Sequence, residues 1–215
     1  RWWRVNSWVN STPVAGAIGV LIYLTGRAVF MSIRIYGNRA IKTLPGQTTR
    51  PTPAKVREAL FNIWQGRLQG CRWLDLCAGS GAMGAEALCR GASNVVGIEK
   101  SRSACRIIQT NWQTVAKPEQ TFQVIRGEVI TRLRGLSLEP FDLVYFDPPY
   151  AAGLYQPVLE TLVQKSLLTY GATVAAEYTP EQWQPEAIDV LELQGTKRYG
   201  LTHLAFFDAI QRACG

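Results

Sequence analysis

The sequence predicts an α/β fold, a mostly parallel seven-stranded sheet with helices on both faces and an antiparallel edge strand. Three observations lead there. From residue 72 onward, short apolar runs alternate with segments of helical period, as in parallel strands joined by crossover helices. A glycine-rich turn, Ala78-Gly79-Ser80-Gly81-Ala82-Met83-Gly84, separates the first of these strands from its helix. The last two runs are joined by a short turn, which forces antiparallel pairing.

In chain order, residues 1–30 differ from the rest. They hold Trp2, Trp3 and Trp8, an apolar run from Val14 to Leu24 and no acidic residue. That run is shorter than the roughly 20 residues that span a membrane. The segment is read as a leader or a non-native upstream extension, poorly packed, with Met31 as the natural start. Ile33–Tyr36 and Ala40–Leu44 predict a hairpin around Gly37-Asn38. Gly46–Thr49 reads as a flexible loop. Thr52 is a candidate N-cap and Pro53 a first helical residue. Val56, Leu60, Ile63 and Trp64 then recur on one helical face.

Strands are predicted at Arg72–Cys77, Asn94–Glu99, Phe122–Arg126, Phe141–Phe146, Thr173–Glu177, Ile188–Leu193 and Leu201–Asp208. Helices are predicted at Ala82–Arg90, Arg102–Val115, Glu128–Leu136 and Leu154–Leu168. Lys197 to Gly200 is read as the connection between the last two strands.

The chain is organised around Asp147-Pro148-Pro149-Tyr150. Two prolines stop the preceding strand, and proline holds the residue before it extended. A stiff corner therefore forms at a strand's carboxyl end. It gathers a carboxylate, backbone carbonyls without strand partners and an aromatic ring. Such a corner suits an amino group on a heterocycle, a poor nucleophile because its lone pair is shared with the ring. Asp147 and the Pro148 carbonyl can accept its two hydrogens, while Tyr150 stacks on the base.

Gly79-x-Gly81-x-x-Gly84 matches a dinucleotide fingerprint, and Glu99 ends the second strand, where an acid binds ribose hydroxyls. NAD, FAD and S-adenosylmethionine all fit this pattern alone. Ligands in such sheets sit at the carboxyl ends of strands near the topological switch point, so Gly79, Gly81 and Asp147 should line one crevice. A methyl donor there would face an amine held by Asp147. A hydride carrier would need an acid or base for a carbonyl, and the chain's one histidine, His203, lies far along the sequence.

Composition narrows the partners. The chain has 215 residues, 47% hydrophobic and 18% charged, and a net charge of +7, which points to an anionic partner such as nucleic acid. Residues 31–72 carry Arg34, Arg39, Lys42, Arg50, Lys55, Arg57, Arg67 and Arg72 against one acid, Glu58. Five scattered cysteines without a C-x-x-C pair argue against a disulfide framework or zinc site. A single histidine excludes a histidine triad or a multi-histidine metal centre.

Asp75-Leu76-Cys77-Ala78-Gly79-Ser80-Gly81-Ala82-Met83-Gly84 with Glu86-Ala87-Leu88, then Glu99, then Asp147-Pro148-Pro149-Tyr150, is similar to S-adenosylmethionine-dependent methyltransferases. Arg50-Pro51-Thr52 and Lys55-Val56-Arg57-Glu58-Ala59-Leu60-Phe61 narrow this. The chain resembles the RsmD-type guanine-N2 methyltransferases of bacterial small-subunit ribosomal RNA over about residues 31 to 210. The resemblance implies a Rossmann-like class I methyltransferase fold, with a basic RNA-binding hairpin and helix at 31–70 and a catalytic domain at 71–215. It implies S-adenosylmethionine as cofactor and 16S-type RNA in a partly assembled small subunit as partner, with neither membrane nor metal.

By motif match, Asp75, Ala78, Gly79, Gly81, Glu99, Lys100, Gly127, Glu128 and Asp147 would bind the cofactor. Asp147, Pro148, Pro149 and Tyr150 would hold the base, and Arg39, Arg50, Thr52, Lys55 and Arg57 would contact RNA. Family members often carry Asp or Asn with Ala where this chain has Gly127-Glu128-Val129. A cytoplasmic location is expected, or an organelle if residues 1–30 are a transit segment. The alternatives are a DNA or RNA adenine-N6 methyltransferase, a glutamine-directed protein methyltransferase, a nicotinamide-dependent oxidoreductase and a non-catalytic RNA-binding module.

Overall fold

The structure, a computed structural model, describes residues 31–43, 52–149 and 153–210. The expected leader at 1–30, the loop Gly46–Thr49, Arg50 and Tyr150 lie outside the described residues.

The chain opens with the hairpin β1 (Met31–Ile35) and β2 (Arg39–Thr43), paired antiparallel from Met31↔Thr43 to Ile35↔Arg39. Its tip turns through positive φ at Gly37 and Asn38, the two residues the sequence singles out. α1 (Ala54–Ile63) follows. Pro53 is its N-cap rather than its first helical residue, and no side chain caps it. The Thr52 hydroxyl, expected in that role, lies 3.2 Å from the Tyr145 hydroxyl.

The remaining elements are β3 (Arg72–Leu76), α2 (Ala82–Cys89), β4 (Asn94–Glu99), α3 (Arg102–Val115), β5 (Thr121–Arg126), α4 (Val129–Arg134), β6 (Phe141–Phe146), α5 (Tyr155–Gln164), β7 (Leu168–Tyr178), β8 (Leu191–Tyr199) and β9 (Thr202–Ala209). The seven-stranded sheet runs β5-β4-β3-β6-β7-β9-β8. Its first five strands are parallel, and β9 is antiparallel to both β7 and β8. The opposed strand is thus next to last, and β8 forms the edge beyond it.

The three largest boundary differences from the sequence reading fall in the second half of the chain. The helix expected to reach Leu168 stops at Gln164, because Ser166 takes φ +51 and Leu167 turns toward the sheet, where its carbonyl accepts from the Phe141 amide. β7 therefore begins at Leu168 and spans 11 residues. Lys197 to Tyr199, expected as a connection, is strand; Gly200 and Leu201 alone make the turn, with Gly200 at φ +68.

Alternation along each strand sorts the core onto two faces. Trp73, Val95, Leu143, Tyr145 and Ala175 join α1, α2, α3 and the hairpin residues Ile35 and Ile41 in one cluster. Leu74, Val96, Val144, Phe146 and Val174 join α4 and α5 in the other. The basic N-terminal elements thus share the sheet's own core. Two polar contacts fix them there. Arg57, 3% exposed, pairs with Glu86 at 2.5 Å and donates to the Arg34 carbonyl of β1. Asn111 of α3 accepts from the Lys42 amide and donates to the Lys42 carbonyl of β2, each at 2.9 Å.

Trp112 of α3 is fully buried and its indole nitrogen donates to the Gly81 carbonyl at 2.7 Å. A Cβ added to Gly84 or Gly97 would overlap the indole ring, so both positions are held to glycine by space. Gly84→Ala is expected to cost about 1–3 kcal/mol through overpacking, and Trp112→Ala about 3–5 kcal/mol through the void it leaves. Urea unfolding of the two variants and their combination checks this. The double variant should lose clearly less than the sum, because the added methyl no longer meets the ring.

Candidate active site

The crevice is built from the carboxyl ends of β3, β4, β5 and β6. β3 ends at Leu76 because Cys77 turns at φ +61, a left-handed conformation unusual for a residue with a side chain. The loop then passes Gly79 at φ +56 and Gly81 at φ +72 into α2. The two glycines serve different ends. A Cβ on Gly81 would press on Trp112 and Ile108, whereas one on Gly79 would meet only the Cys77 carbonyl oxygen, at 4.0 Å. Gly79 therefore faces open space.

Two carboxylates brace this loop. Asp75, 1% exposed, accepts from the Gly84 amide at 2.9 Å, capping the first turn of α2 from the neighbouring strand. The sequence reading places Asp75 against the cofactor. The alternation of β3 directs it beneath the loop, onto the first turn of α2. Glu99 accepts from the Gly79 amide at 2.9 Å and the Ser101 amide at 2.8 Å, and its backbone carbonyl accepts from Gly127 at 3.0 Å. Ala78, Gly79, Gly81, Glu99 and Gly127 are thus brought together. Lys100 and Glu128 are exposed at the rim.

β6 pairs with β3 in parallel, ending at Leu76↔Phe146, and the Asp147 amide reaches the Leu76 carbonyl at 3.3 Å. Asp147 therefore stands beside the glycine loop. Pro148 is buried and Pro149 exposed. On the other side, Phe146 pairs with Ala176, so Glu177 of β7 flanks Asp147. Glu177 is 3% exposed and accepts from the Tyr145 hydroxyl at 2.5 Å; its backbone carbonyl accepts from the Tyr155 hydroxyl at 3.0 Å. Thr52, Tyr145 and Glu177 form one hydrogen-bonded row along the wall of the corner.

The lining is acidic. Burial first, then Glu177 and Asp75, hold the Asp147 carboxyl well above the usual carboxylate range. Burial raises Asp75 from 3.8 to about 8, with the Gly84 amide opposing and Glu99 adding to the rise. Burial and Glu177 likewise push the Tyr145 hydroxyl up. A cation entering the crevice would draw these carboxyls toward their ionised forms, whereas a pyrophosphate would meet donors that are already bonded. The loop amides of Ala78, Gly79 and Gly81 already have protein acceptors, and Asp75 holds the place at the α2 N-terminus that a phosphate would take. The residues therefore fit S-adenosylmethionine, whose ammonium and sulfonium carry positive charge and whose ribose hydroxyls can donate to Glu99. Among the described residues no cluster of three or more His, Cys, Asp or Glu could hold a metal, and no helix is long and apolar enough to cross a membrane.

Of the residues expected to meet RNA, Lys55 is exposed on α1. Arg39 is exposed and points back to the Cys89 sulfur at 3.2 Å. Arg57 is corrected: a guanidinium buried against Glu86 and the Arg34 carbonyl is closed to phosphate. Thr52 contacts Tyr145. Glu177, Tyr145 and Asn111 are site residues that sequence reasoning missed. Glu177 carried a signal, an acid inside an apolar strand beside the proline corner.

A parallel sheet in this order, with a glycine loop after β3 braced by an acid after β4 and an Asp-Pro-Pro corner after β6, defines a class I methyltransferase. The comparisons narrow it. The model of the family Conserved hypothetical protein 95 matches residues 33–208, and the chain belongs to that family. The YlbH protein of Bacillus subtilis, provisionally named an rRNA methyltransferase, is 30% identical over 79% of this chain and 92% of its own length. The ribosomal RNA small subunit methyltransferase D of Haemophilus influenzae is 29% identical over 69% of this chain and 81% of its own. The solved Escherichia coli yhhF structure, provisionally described as a methyltransferase, superposes with a TM-score of 0.73 at 28% identity. It covers 84% of this chain and 99% of that one.

The position of Asp75 sets a stability prediction. Its folded pKa lies above its ordinary value, so the stability it contributes is present below 3.8 and is lost as pH rises toward about 8. Asp75→Asn keeps an acceptor for the Gly84 amide and removes the titration. Chemical denaturation across that pH window should show a flatter stability profile for the variant than for the parent.

Proposed function

We propose that the protein transfers a methyl group from S-adenosylmethionine to the exocyclic N2 of a guanine in small-subunit ribosomal RNA, acting in the cytoplasm on a partly assembled subunit. The observation that carries this reading is the register of β6 on β3, which sets Asp147 beside the glycine loop. The names of the relatives support ribosomal RNA as the substrate class.

The cofactor supplies an electrophilic methyl group; the chain supplies position and charge. Glu99 would orient the ribose, and the open face of Gly79 would let the ligand approach the backbone. The guanine leaves its stack to enter the crevice. Asp147 and the Pro148 carbonyl would accept the two hydrogens of its amino group and direct the nitrogen lone pair toward the donor, and Tyr150 is the residue assigned to stack on the base. Most of the rate enhancement would come from holding the reactants in line; as the carbon–sulfur bond breaks to leave a neutral thioether, the Asp147 carboxylate would stabilise the positive charge on nitrogen and take the proton it sheds. Tyr145 and Thr52 position Glu177, whose charge adds to burial in making Asp147 hold its proton.

Asp147→Ala should lower turnover at least about 10²- to 10³-fold with S-adenosylmethionine affinity retained, while Glu99→Ala should weaken that affinity. Single-turnover methylation and calorimetry separate the two. Mass analysis of the product nucleoside should give N2-methylguanosine; N6-methyladenosine would overturn the assignment.

Only ionised Asp147 offers a negative charge to the nitrogen and a base for its proton, so the rate should rise with pH through a limb well above the ordinary carboxylate range. Glu177→Gln removes a like charge and should move that limb to lower pH in a pH–rate profile at saturating substrates. An unmoved limb would show that Asp147 does not set it.

A further inference from the structure

We infer that the groove between α3 and the open edge strand β5 binds the phosphodiester backbone of the substrate RNA beside the methylated base, an inference that rests on the RNA reading above. The groove has a volume of about 670 Å³, and Arg102, Arg106, Gln109 and Thr110 of α3 face Val124 and Arg126 of β5 across it. The α3 residues recur at helical spacing and form one face. The three arginines are exposed.

Their charge is unanswered. The ion pairs formed among the described residues all converge on Glu86, from Arg57 and Arg90, so none reaches the groove. Arg67 and Arg72 are occupied by hydrogen bonds to Thr173, Gly171, Pro140 and Glu139. Arg102, Arg106 and Arg126 make no such bond. Their placement also works against the helix. Arg102 is the first residue of α3 and Arg106 lies one turn on, so like charges face each other at the positive end of the helix dipole. No acid stands in that first turn. An arrangement the fold does not neutralise is one an anion from outside can.

Position selects the anion. Arg102 follows β4, and Arg126 is the last residue of β5, paired in register with Glu99. Both stand at the same end of the sheet as Asp147. β5 lies three strands from β6, roughly 14 Å at about 4.8 Å per strand, a span that a few nucleotides cover. S-adenosylmethionine carries no phosphate for these arginines to meet. No aromatic ring lines the groove, so it offers charge to a backbone and no platform to a base.

The test is the double variant Arg106→Gln/Arg126→Gln in the full chain, leaving Arg102 beside the Glu99 region intact. Binding of deproteinised small-subunit ribosomal RNA is followed by fluorescence anisotropy over a salt series, with S-adenosylmethionine affinity measured in parallel. The inference expects RNA affinity to fall about tenfold at moderate salt and the log–log salt slope to shrink by about 1.4, two phosphates at about 0.7 each. Cofactor affinity and thermal midpoint stay at parental values. RNA affinity and slope equal to the parent's overturn it, and so does a loss of cofactor affinity with RNA binding unchanged. If the parent itself neither binds nor methylates ribosomal RNA, the substrate reading fails first and the groove's role fails with it.

Discussion

The crevice depends on two carboxylates holding the glycine loop in place. Asp75 reaches up from β3 to the first turn of α2, and Glu99 reaches across from β4 to Gly79 and Ser101. Between them they fix where the loop leaves the sheet and where the helix begins. They also decide which ligands the loop can take. A loop with this glycine spacing can serve a dinucleotide, but here Asp75 already holds the place at the α2 N-terminus that a pyrophosphate would take. Asp147 stands nearby, its carboxyl held above its ordinary range by burial, then by Glu177 and Asp75.

The basic N-terminal segment and the sheet form one packed body. Ile35 and Ile41 of the hairpin share a cluster with Trp64 of the segment after α1 and with Trp73 and Leu143 of the sheet. Arg57 and Glu86 bridge α1 to α2 within that interior. An ion pair so deeply buried is costly to break, because either partner left alone would be an uncompensated charge. It works here as a fastener for β1 through the Arg34 carbonyl.

Much of the fold was legible because apolar alternation and glycine placement are local signals. β4, α3 and β6 begin and end where the periodicity places them. The hairpin tip was legible from Gly37-Asn38, and the crevice from the loop glycines, Glu99 and the proline corner. What escaped depends on partners distant in sequence. Arg57 looks like a phosphate contact until Glu86, 29 residues on, is seen against it. Glu177 joins the site only through the register of β7 on β6. The bond from the Gly84 amide to Asp75 depends on strand parity and on how the loop returns over β3, which the motif alone does not show. The early end of α5 rests on a single left-handed residue, Ser166, which propensity does not announce.

Asn111 has a consequence for how the two ligands of such an enzyme would be felt. One face of its amide is bonded to β2 at Lys42, and its nitrogen also donates to the Ser80 carbonyl of the glycine loop at 2.9 Å. A shift of the hairpin is transmitted to the loop through one side chain. Equilibria that move either element are thereby joined, and thermodynamic linkage is reciprocal. Whatever factor an occupant of the hairpin imposes on the crevice, an occupant of the crevice returns to the hairpin, so a dissociation constant for one is defined only with the occupancy of the other stated.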